Sequence, residues 1–184
     1  MKALITLHNS IFEKVEDVLA PWLLPTLARF AFAAVLLRYF WNSAYTKIYN
    51  FREESFEIFG TSGAYAQILP KAFEDASYDV SQISFFYKLV VFAGTYSEFL
   101  LPLLILIGLF TRIAAVGMIG FILVQSFVDI TGHHADEVTI GAWFDPLSNS
   151  VLMDQRLLWV TLFVTLIVRG AGPLSVDRLL HRPS

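Results

Sequence analysis

The chain contains no cysteine, and this absence excludes several kinds of chemistry. Without a thiol the protein forms no disulfide, no thiolate-held iron–sulfur cluster, no dithiol redox pair and no cysteine nucleophile. A c-type haem attachment is excluded for the same reason. Charge is scarce as well, since charged residues make up 16% of the 184 residues. A soluble domain carries about 25%.

The sequence also lacks the patterns that identify many soluble enzymes and nucleic-acid-binding proteins. The net charge is −3 and there is no block of basic residues, so nucleic acid is not an expected partner. We find no glycine-rich phosphate loop, no GxSxG elbow and no HExxH motif. The common hydrolase and nucleotide-binding mechanisms are therefore not indicated.

Long apolar runs are what the sequence does contain. Hydrophobic residues make up 56% of the chain, and its mean hydropathy is +0.60. Four runs are long enough to be transmembrane helices: about 27–45, 87–110, 113–130 and 157–170. A soluble protein with buried helices is the alternative, but the second and third runs are too long and too uniformly apolar for it. The sequence predicts an all-α integral membrane four-helix bundle, with residues 1–184 forming one domain.

The segment 1–22 has a different pattern from the four apolar runs. It lacks the continuous apolar centre and the small-residue cleavage site of a signal peptide. Apolar residues recur at helical spacing in this segment: Leu4, Leu7, Ile11, Val15, Val18, Leu19 and Trp22. This pattern predicts an amphipathic helix lying in the membrane interface. A helix packed on a partner subunit is the alternative.

The distribution of basic residues predicts the orientation. Four spans place both termini on one side of the membrane together with the turn at Arg112. That side carries seven Lys and Arg residues, and the opposite side carries five. The excess favours cytoplasmic termini in a multi-pass protein of the cytoplasmic membrane, with the two long loops facing outward.

Polar side chains inside the apolar runs are the candidates for function, because a charge at the bilayer centre costs at least about 2.5–3.5 kcal/mol on insertion scales. Arg38 lies nine residues past Arg29, about 13 Å along a helix. Glu98 in the second run lies about 20 Å from the hairpin turn, and Gln125 in the third run lies at nearly the same depth. These depths predict an intramembrane Arg38–Glu98 pair with Gln125 beside it.

Asn42 and Tyr45 continue the face of Arg38 at helical spacing. With Gln125 they are predicted to line a polar cavity that opens outward and to hydrogen-bond the oxygens of a quinone head group, while the apolar walls take its tail. Glu98 and Arg38 are the predicted catalytic residues, with Glu98 moving a proton. The alternative is that these polar groups only fix the register of the helices.

Lys47 and Asp129 are predicted to lie at the mouth of this cavity. His133 and His134 follow in the same loop with acidic neighbours, which superficially resembles a metal cluster. The spacing matches no established set of metal ligands, so we expect a solvated polar loop and no metal.

No histidine falls within the four apolar runs, and a transmembrane b-type haem normally takes its axial ligands from such positions. Haem is therefore not expected, and a quinone is the candidate cofactor. Electrons must then come from a partner protein or from a bound diffusible molecule. Besides the lipid bilayer, we expect a partner oxidoreductase subunit or a second copy of the chain.

One segment resembles the central signature of a known family. The stretch GTYSEFLLPLLILIGLFTRIAAVGMIGFIL, residues 94–123, is similar to the core of the DoxX family of small bacterial membrane proteins. The resemblance lies in a glutamate on an apolar helix, a leucine-rich run, and then Gly-Leu-x-Thr-Arg-x-Ala-Ala. The tail GAGPLSVDRLL, residues 170–180, is similar to the family's Gly/Pro turn followed by Ser-x-Asp.

The resemblance implies a four-helix membrane bundle and, by position, a role for Glu98. The family includes subunits of a thiosulfate:quinone oxidoreductase and members linked to oxidative-stress complexes. It therefore implies a membrane subunit of an oxidoreductase system in the bacterial inner membrane. A non-catalytic scaffold for a redox or stress-response enzyme is the alternative, and an accessory to small-solute transport is a third reading.

Overall fold

Helices account for 73% of the chain and strands for 2% in the computed structural model, which describes residues 1–180. Residues 181–184 lie outside the described part, and with them lies Arg182, which counts toward the predicted positive side. The predicted all-α membrane class is confirmed at this level. The strands of the described part are the two-residue antiparallel pair β1 (Tyr49–Asn50) and β2 (Ser55–Phe56).

The α-helices follow one another as α1 Lys2–Leu19, α2 Leu23–Val35, α3 Leu37–Ile48, α4 Ser62–Ile68, α5 Pro70–Asp75, α6 Phe85–Ile107, α7 Thr111–Thr131, α8 Glu137–Ile140, α9 Arg156–Arg169 and α10 Val176–Leu180. A 3₁₀ turn, Val80–Gln82, precedes α6, and a π-helical segment, Val151–Gln155, leads into α9.

Three helical segments in the described residues are long and apolar enough to cross a membrane: Phe85–Ile107, Thr111–Thr131 and Val151–Arg169. A fourth is counted if α1 and α2, which are bent by 57° relative to each other, are taken as one span. Large apolar side chains on these segments point away from the protein, as Ile113 does with 72% of its surface exposed. Such surfaces are expected to contact the bilayer.

The first apolar run forms two helices instead of one, since α2 ends at Val35 and α3 begins at Leu37. The chain continues almost helically across the break, because the Leu36 amide still donates to the Phe32 carbonyl and the Phe40 amide to the Leu36 carbonyl. Helix α1 contributes no buried residue.

The long helices pack in a cyclic order: α2 contacts α9, α9 contacts α7, α7 contacts α6, and α6 contacts α3. Aromatic rings fill the centre, with Phe32 against Phe163 and Phe40 against both Phe121 and Trp159. Burial of this core stabilises the arrangement by packing. Its buried members are Ala28, Phe32, Leu36, Phe40, Ile105, Ala114, Ala115, Met118, Ile122, Phe163 and Leu166.

The turn between α6 and α7 is clamped by the C-terminal segment. Gly108 and Phe110 both have positive φ, of 70° and 49°. A Cβ at Gly108 would lie 2.6 Å from the Cβ of Ser175, so only glycine fits. The Asp177 carboxylate accepts hydrogen bonds from the amides of Phe110 and Thr111, at 2.7 and 3.0 Å, and so caps α7.

A second, smaller core lies at the other end of the long helices. The segment 59–83, which we call the cap, folds α4 and α5 over the ends of α3 and α6. Tyr65 and Phe73 are buried inside the cap, where Tyr65 donates to the carbonyl of Phe59 at 3.1 Å. Burial, with Glu57 nearby, raises the pKa of the Tyr65 hydroxyl above its ordinary value.

Candidate functional site

A buried ion pair joins α3 to α6 beneath the cap. The Lys47 Nζ lies 2.8 and 3.0 Å from the two carboxylate oxygens of Glu98. It also donates to the hydroxyl of Ser43, one turn earlier on α3, at 2.6 Å. Each of the two charged side chains is 5% exposed. A pair this deeply buried is costly to desolvate, so its geometry must be well satisfied.

The local sequence explains why this pair is held in place. Glu98 continues the face of α6 that carries Val91 and Thr95, and all three residues are buried. The Thr61 amide of the cap donates to the Lys47 carbonyl at 2.8 Å. Pro102 has no N–H and cannot donate the helical hydrogen bond to the Glu98 carbonyl. The pair therefore lies at the end of α3, one helical turn before Pro102 of α6, and directly against the cap.

The pair forms part of the wall of a cavity of about 720 Å³, which we call the α3–α6–α7 cavity. Most of its lining is apolar or small. The residues that line it are Tyr39, Ser43, Lys47, Gln67, Ile68, Val90, Ala93, Gly94, Ser97, Glu98, Leu101, Gly117, Gly120, Phe121, Val124, Gln125, Val128, Asp129 and His133. The volume lies in the range of about 300–1,000 Å³ that is typical of small-molecule sites.

Small residues make the room between the helices. Glycines occur on both facing walls, Gly94 on α6 and Gly117 and Gly120 on α7. A Cβ added at Gly120 would meet no atom within 4 Å, so this position faces open space. At Gly117 a Cβ would lie 3.0 Å from Leu101, which marks the narrow end of the cavity.

Gln125 lies in the wall of this cavity. Its amide Nε2 donates to the Tyr39 hydroxyl at 3.0 Å, which joins α7 to α3. Its Oε1 is buried and has no hydrogen-bond partner among residues 1–180. A buried acceptor without a partner carries a desolvation cost of about 1–3 kcal/mol, which a ligand hydroxyl would relieve.

The predicted Arg38–Glu98 pair is wrong, because Lys47 is the cation that contacts Glu98. Arg38 is exposed and makes no hydrogen bond or ion pair within residues 1–180. The two cations are nine residues apart, which is about two and a half helical turns. They therefore lie on opposite sides of the helix. The prediction compared the depths of Arg38 and Glu98 in the membrane, and it did not consider which side of α3 faces α6.

The same rotation explains where the other two predicted ligand contacts lie. Asn42 and Tyr45 share the face of Arg38 and are exposed. Tyr45 stacks on Tyr49 with ring centroids 5.2 Å apart, and neither Asn42 nor Tyr45 lines the cavity. The face that was predicted to bind a ligand is thus the outer surface of α3.

Lys47 and Asp129, which were both predicted for the mouth of the cavity, both line it in the structure, and Lys47 is buried. The Asp129 carboxylate pairs with Arg156 at the start of α9, and Arg156 also donates to the Ser126 hydroxyl at 2.7 Å. At the same end, His133 contacts the carbonyl of Gln67 in the cap through its Nε2, at 3.0 Å. These contacts join the cap and α9 to the end of α7.

Metal ligands do not converge in the part of the chain that the structure describes. No three His, Cys, Asp or Glu side chains within residues 1–180 are placed to hold one ion. The ring of His133 is directed to a backbone carbonyl.

The sequence reasoning missed Ser43 and Tyr39 as members of the site, and it placed Lys47 at the mouth of the cavity and not against Glu98. A signal was present, because Tyr39, Ser43 and Lys47 recur every four residues and follow one stripe of the helix. The Lys47 end of this stripe lies opposite Arg38. The arrangement can bind a molecule by hydrogen bonds at one end and apolar contacts along its length, and it places a carboxylate that can exchange a proton.

A DoxX family model matches residues 24–128, which is more than half of the chain and includes Lys47, Glu98 and Gln125. Searches of curated proteins and of solved structures gave no match. The matched region contains α2, α3 and α6 and nearly all of α7, and so most of the cavity walls. The chain therefore belongs to the DoxX family of membrane proteins, which is generally associated with membrane redox or stress-related function.

Proposed function

We propose that the protein is the membrane subunit of an oxidoreductase system and that it binds a quinone or a related small redox molecule in the α3–α6–α7 cavity. The observation that carries the proposal is a cavity of about 720 Å³ whose wall combines a buried Lys47–Glu98 pair with the unpartnered oxygen of Gln125. Close packing and paired polar groups are the rule in protein interiors, so open space beside an unpartnered acceptor favours a ligand at this position.

Each wall of the cavity has a distinct role toward such a ligand. The Lys47 ammonium donates to a head-group oxygen, the Gln125 Oε1 accepts from a hydroxyl of the reduced head group, and Glu98 holds or releases the proton that accompanies reduction. Apolar residues such as Leu101 and Val124 contact the tail. The chain has neither cysteine nor a histidine within its apolar runs, so the electrons come from a partner protein or from a bound diffusible molecule.

We further propose that α2 and α3 together form one span, so that four spans make a transmembrane four-helix bundle with both termini in the cytoplasm. The cyclic packing of the long helices supports this topology. Helix α1 then lies in the interface, since it buries no residue yet presents large apolar side chains such as Leu4 and Phe12. Seven basic residues on the side of the termini support the orientation.

Filling the cavity without disturbing the protein tests the binding site. In Gly120→Leu the new side chain enters open space, and loss of glycine from a helix interior favours folding by up to about 1 kcal/mol. We expect unchanged or higher thermal stability together with at least a tenfold loss of affinity for the short-tailed quinone decylubiquinone. Binding is measured by titration of the purified protein in detergent.

Leu123→Phe is the matched control, because Leu123 is on the same helix, is 62% exposed and does not line the cavity. It should bind the quinone as the wild type does. Equal affinity in Gly120→Leu and wild type would place the quinone elsewhere or exclude it as a ligand.

The exposed face of α3 supports a partner that is a different protein. Arg38 is next to Tyr39, whose hydroxyl accepts from Gln125. Gln125 lies about 21 Å along α7 from the first residue of that helix, so Arg38 is also at an intramembrane depth. Of the carboxylates within the candidate spans, Glu98 and Asp129 are already paired with Lys47 and Arg156, and Asp154, near the start of its span, accepts from Ser150. A second copy of the chain would therefore bring no spare carboxylate at this depth, whereas a helix of another subunit could supply one.

Removing the charge of Arg38 is expected to have opposite effects on the isolated chain and on the complex. Arg38→Leu should stabilise the isolated protein in detergent, because an unpaired intramembrane charge costs at least about 2.5 kcal/mol on insertion scales. In membranes of the native host it should release the chain from its complex, as seen in the size of the native particle on native gels. Arg52→Leu, in an exposed loop, is the control. An unchanged particle in Arg38→Leu would contradict an interface on this face.

A further inference from the structure

A second cavity lies at the end of the bundle away from the cap. It has a volume of about 680 Å³ and is enclosed by the α6–α7 turn, the end of α9 and the segment leading into α10. Three arginines line it: Arg112 at the start of α7, Arg169 at the end of α9, and Arg178 in α10. The function proposed above uses none of them.

The charge in this cavity is predominantly positive. Within residues 1–180, none of the three guanidinium groups forms an ion pair with a carboxylate, and the Arg112 Nη2 contacts only the Val168 carbonyl, at 3.4 Å. Asp177 also lines the cavity, and its oxygens accept from the amides of Phe110 and Thr111. Guanidinium groups with free donors bind phosphate oxygens in a bidentate geometry.

The cavity is built on a rigid base. Arg29, on α2, donates to the carbonyls of Ile105 and Leu106 at the end of α6 and to those of Ala171 and Leu174 in the C-terminal segment. These bonds hold the C-terminal segment on the α6–α7 turn. The three lining arginines are therefore carried by elements whose relative positions are fixed.

Apolar surface adjoins the positive charge. Ile113 lines the cavity and is 72% exposed, and Phe110 is 58% exposed. Pro21, which follows α1, completes the rim. The cavity thus lies at the ends of the candidate spans, where arginines and exposed apolar side chains adjoin each other. Phospholipids present this same order of a phosphate followed by acyl chains.

We propose that this cavity binds the phosphate of an anionic phospholipid, with Arg112, Arg169 and Arg178 holding the phosphate and Ile113 contacting an acyl chain. Basic pockets between membrane helices are known to take such head groups. The proposal does not depend on the quinone site, which lies at the opposite end of the bundle.

The test is native mass spectrometry of the purified full-length protein in detergent, with added phosphatidylglycerol, phosphatidylcholine or inorganic phosphate. We expect one phosphatidylglycerol to be retained at least tenfold better than phosphatidylcholine and not to be displaced by millimolar inorganic phosphate. Equal retention of the two lipids would overturn the proposal. Displacement by phosphate would also overturn it, because the site would then recognise a free anion and not a lipid.

The double variant Arg112→Gln/Arg169→Gln should lose this preference, and Arg52→Gln/Lys71→Gln removes the same charge from exposed loop and cap positions and should keep it. Circular dichroism and thermal unfolding of the double variant show whether the bundle remains folded. The comparison of lipids on the wild-type protein stands even if this variant does not fold. A folded double variant that still prefers phosphatidylglycerol would contradict the assignment of these arginines.

Discussion

Replacing Lys47 with methionine is expected to destabilise the protein by about 3–5 kcal/mol, because the substitution leaves the Glu98 carboxylate buried without its counter-ion. Both carboxylate oxygens accept from the ammonium group, and among residues 1–180 Glu98 forms an ion pair with no other cation. Methionine preserves most of the volume of the side chain, and the loss therefore reports charge more than packing. The free energy of unfolding in mixed detergent micelles measures it.

Two further variants test whether the loss of stability comes from the unpaired charge of Glu98 and not from replacing a lysine as such. Lys47→Met/Glu98→Leu removes both charges and should recover most of the lost stability, since a buried pair is often replaceable by apolar groups. Lys71→Met breaks an exposed pair with Asp75 at 3.6 Å and should change stability by less than about 0.5 kcal/mol. If Lys47→Met and Lys71→Met had the same free energy of unfolding, the buried pair would not contribute to stability.

Glu98→Gln is expected to reduce quinone-dependent turnover in membranes by about 10²–10⁴-fold, which is the usual contribution of a positioned acid or base. The amide has nearly the same shape as the carboxylate but cannot release the proton. Lys47 keeps its contact with the Ser43 hydroxyl but loses its counter-ion, so turnover is compared per amount of folded protein in the membrane. Turnover is measured in native-host membranes that carry the variant in place of the wild-type chain.

The design distinguishes a proton-transfer role from a binding role. Glu98→Gln should retain decylubiquinone binding within a fewfold, whereas Gly120→Leu should lose both binding and turnover. Glu57→Gln makes the same chemical change outside the cavity, at a carboxylate that accepts from Asn50 at 2.7 Å, and should leave turnover unchanged. Normal turnover in Glu98→Gln would remove this carboxylate from the mechanism and favour a scaffold.

The predictions from sequence succeeded where they depended on composition and on depth along a helix. Apolar runs around Leu103 and Ile119 predicted long helices, and the structure has them as α6 and α7. Glu98 and Gln125 were selected because polar groups are costly in an apolar span, and both line the cavity. These inferences needed no knowledge of which helices are neighbours.

The predictions failed where they required the orientation of one helix about its own axis. Arg38 and Lys47 both lie on the first span, and either one is compatible with the depth of Glu98 once side-chain length is allowed for. Only the packing of α3 on α6 turns Lys47 inward and Arg38 outward. The break at Leu36 was also not expected, because the sequence there has neither proline nor glycine.

The sequence by itself determined that this is a helical membrane protein without thiol chemistry and that a carboxylate lies within one of its spans. These properties follow from the transfer free energies of individual side chains, which depend on residue type alone. The tertiary structure decided which cation meets that carboxylate, where the space for a ligand lies, and that three arginines distant in sequence line one cavity. Such relations depend on how helices are rotated and packed against each other, which the order of residues does not state directly.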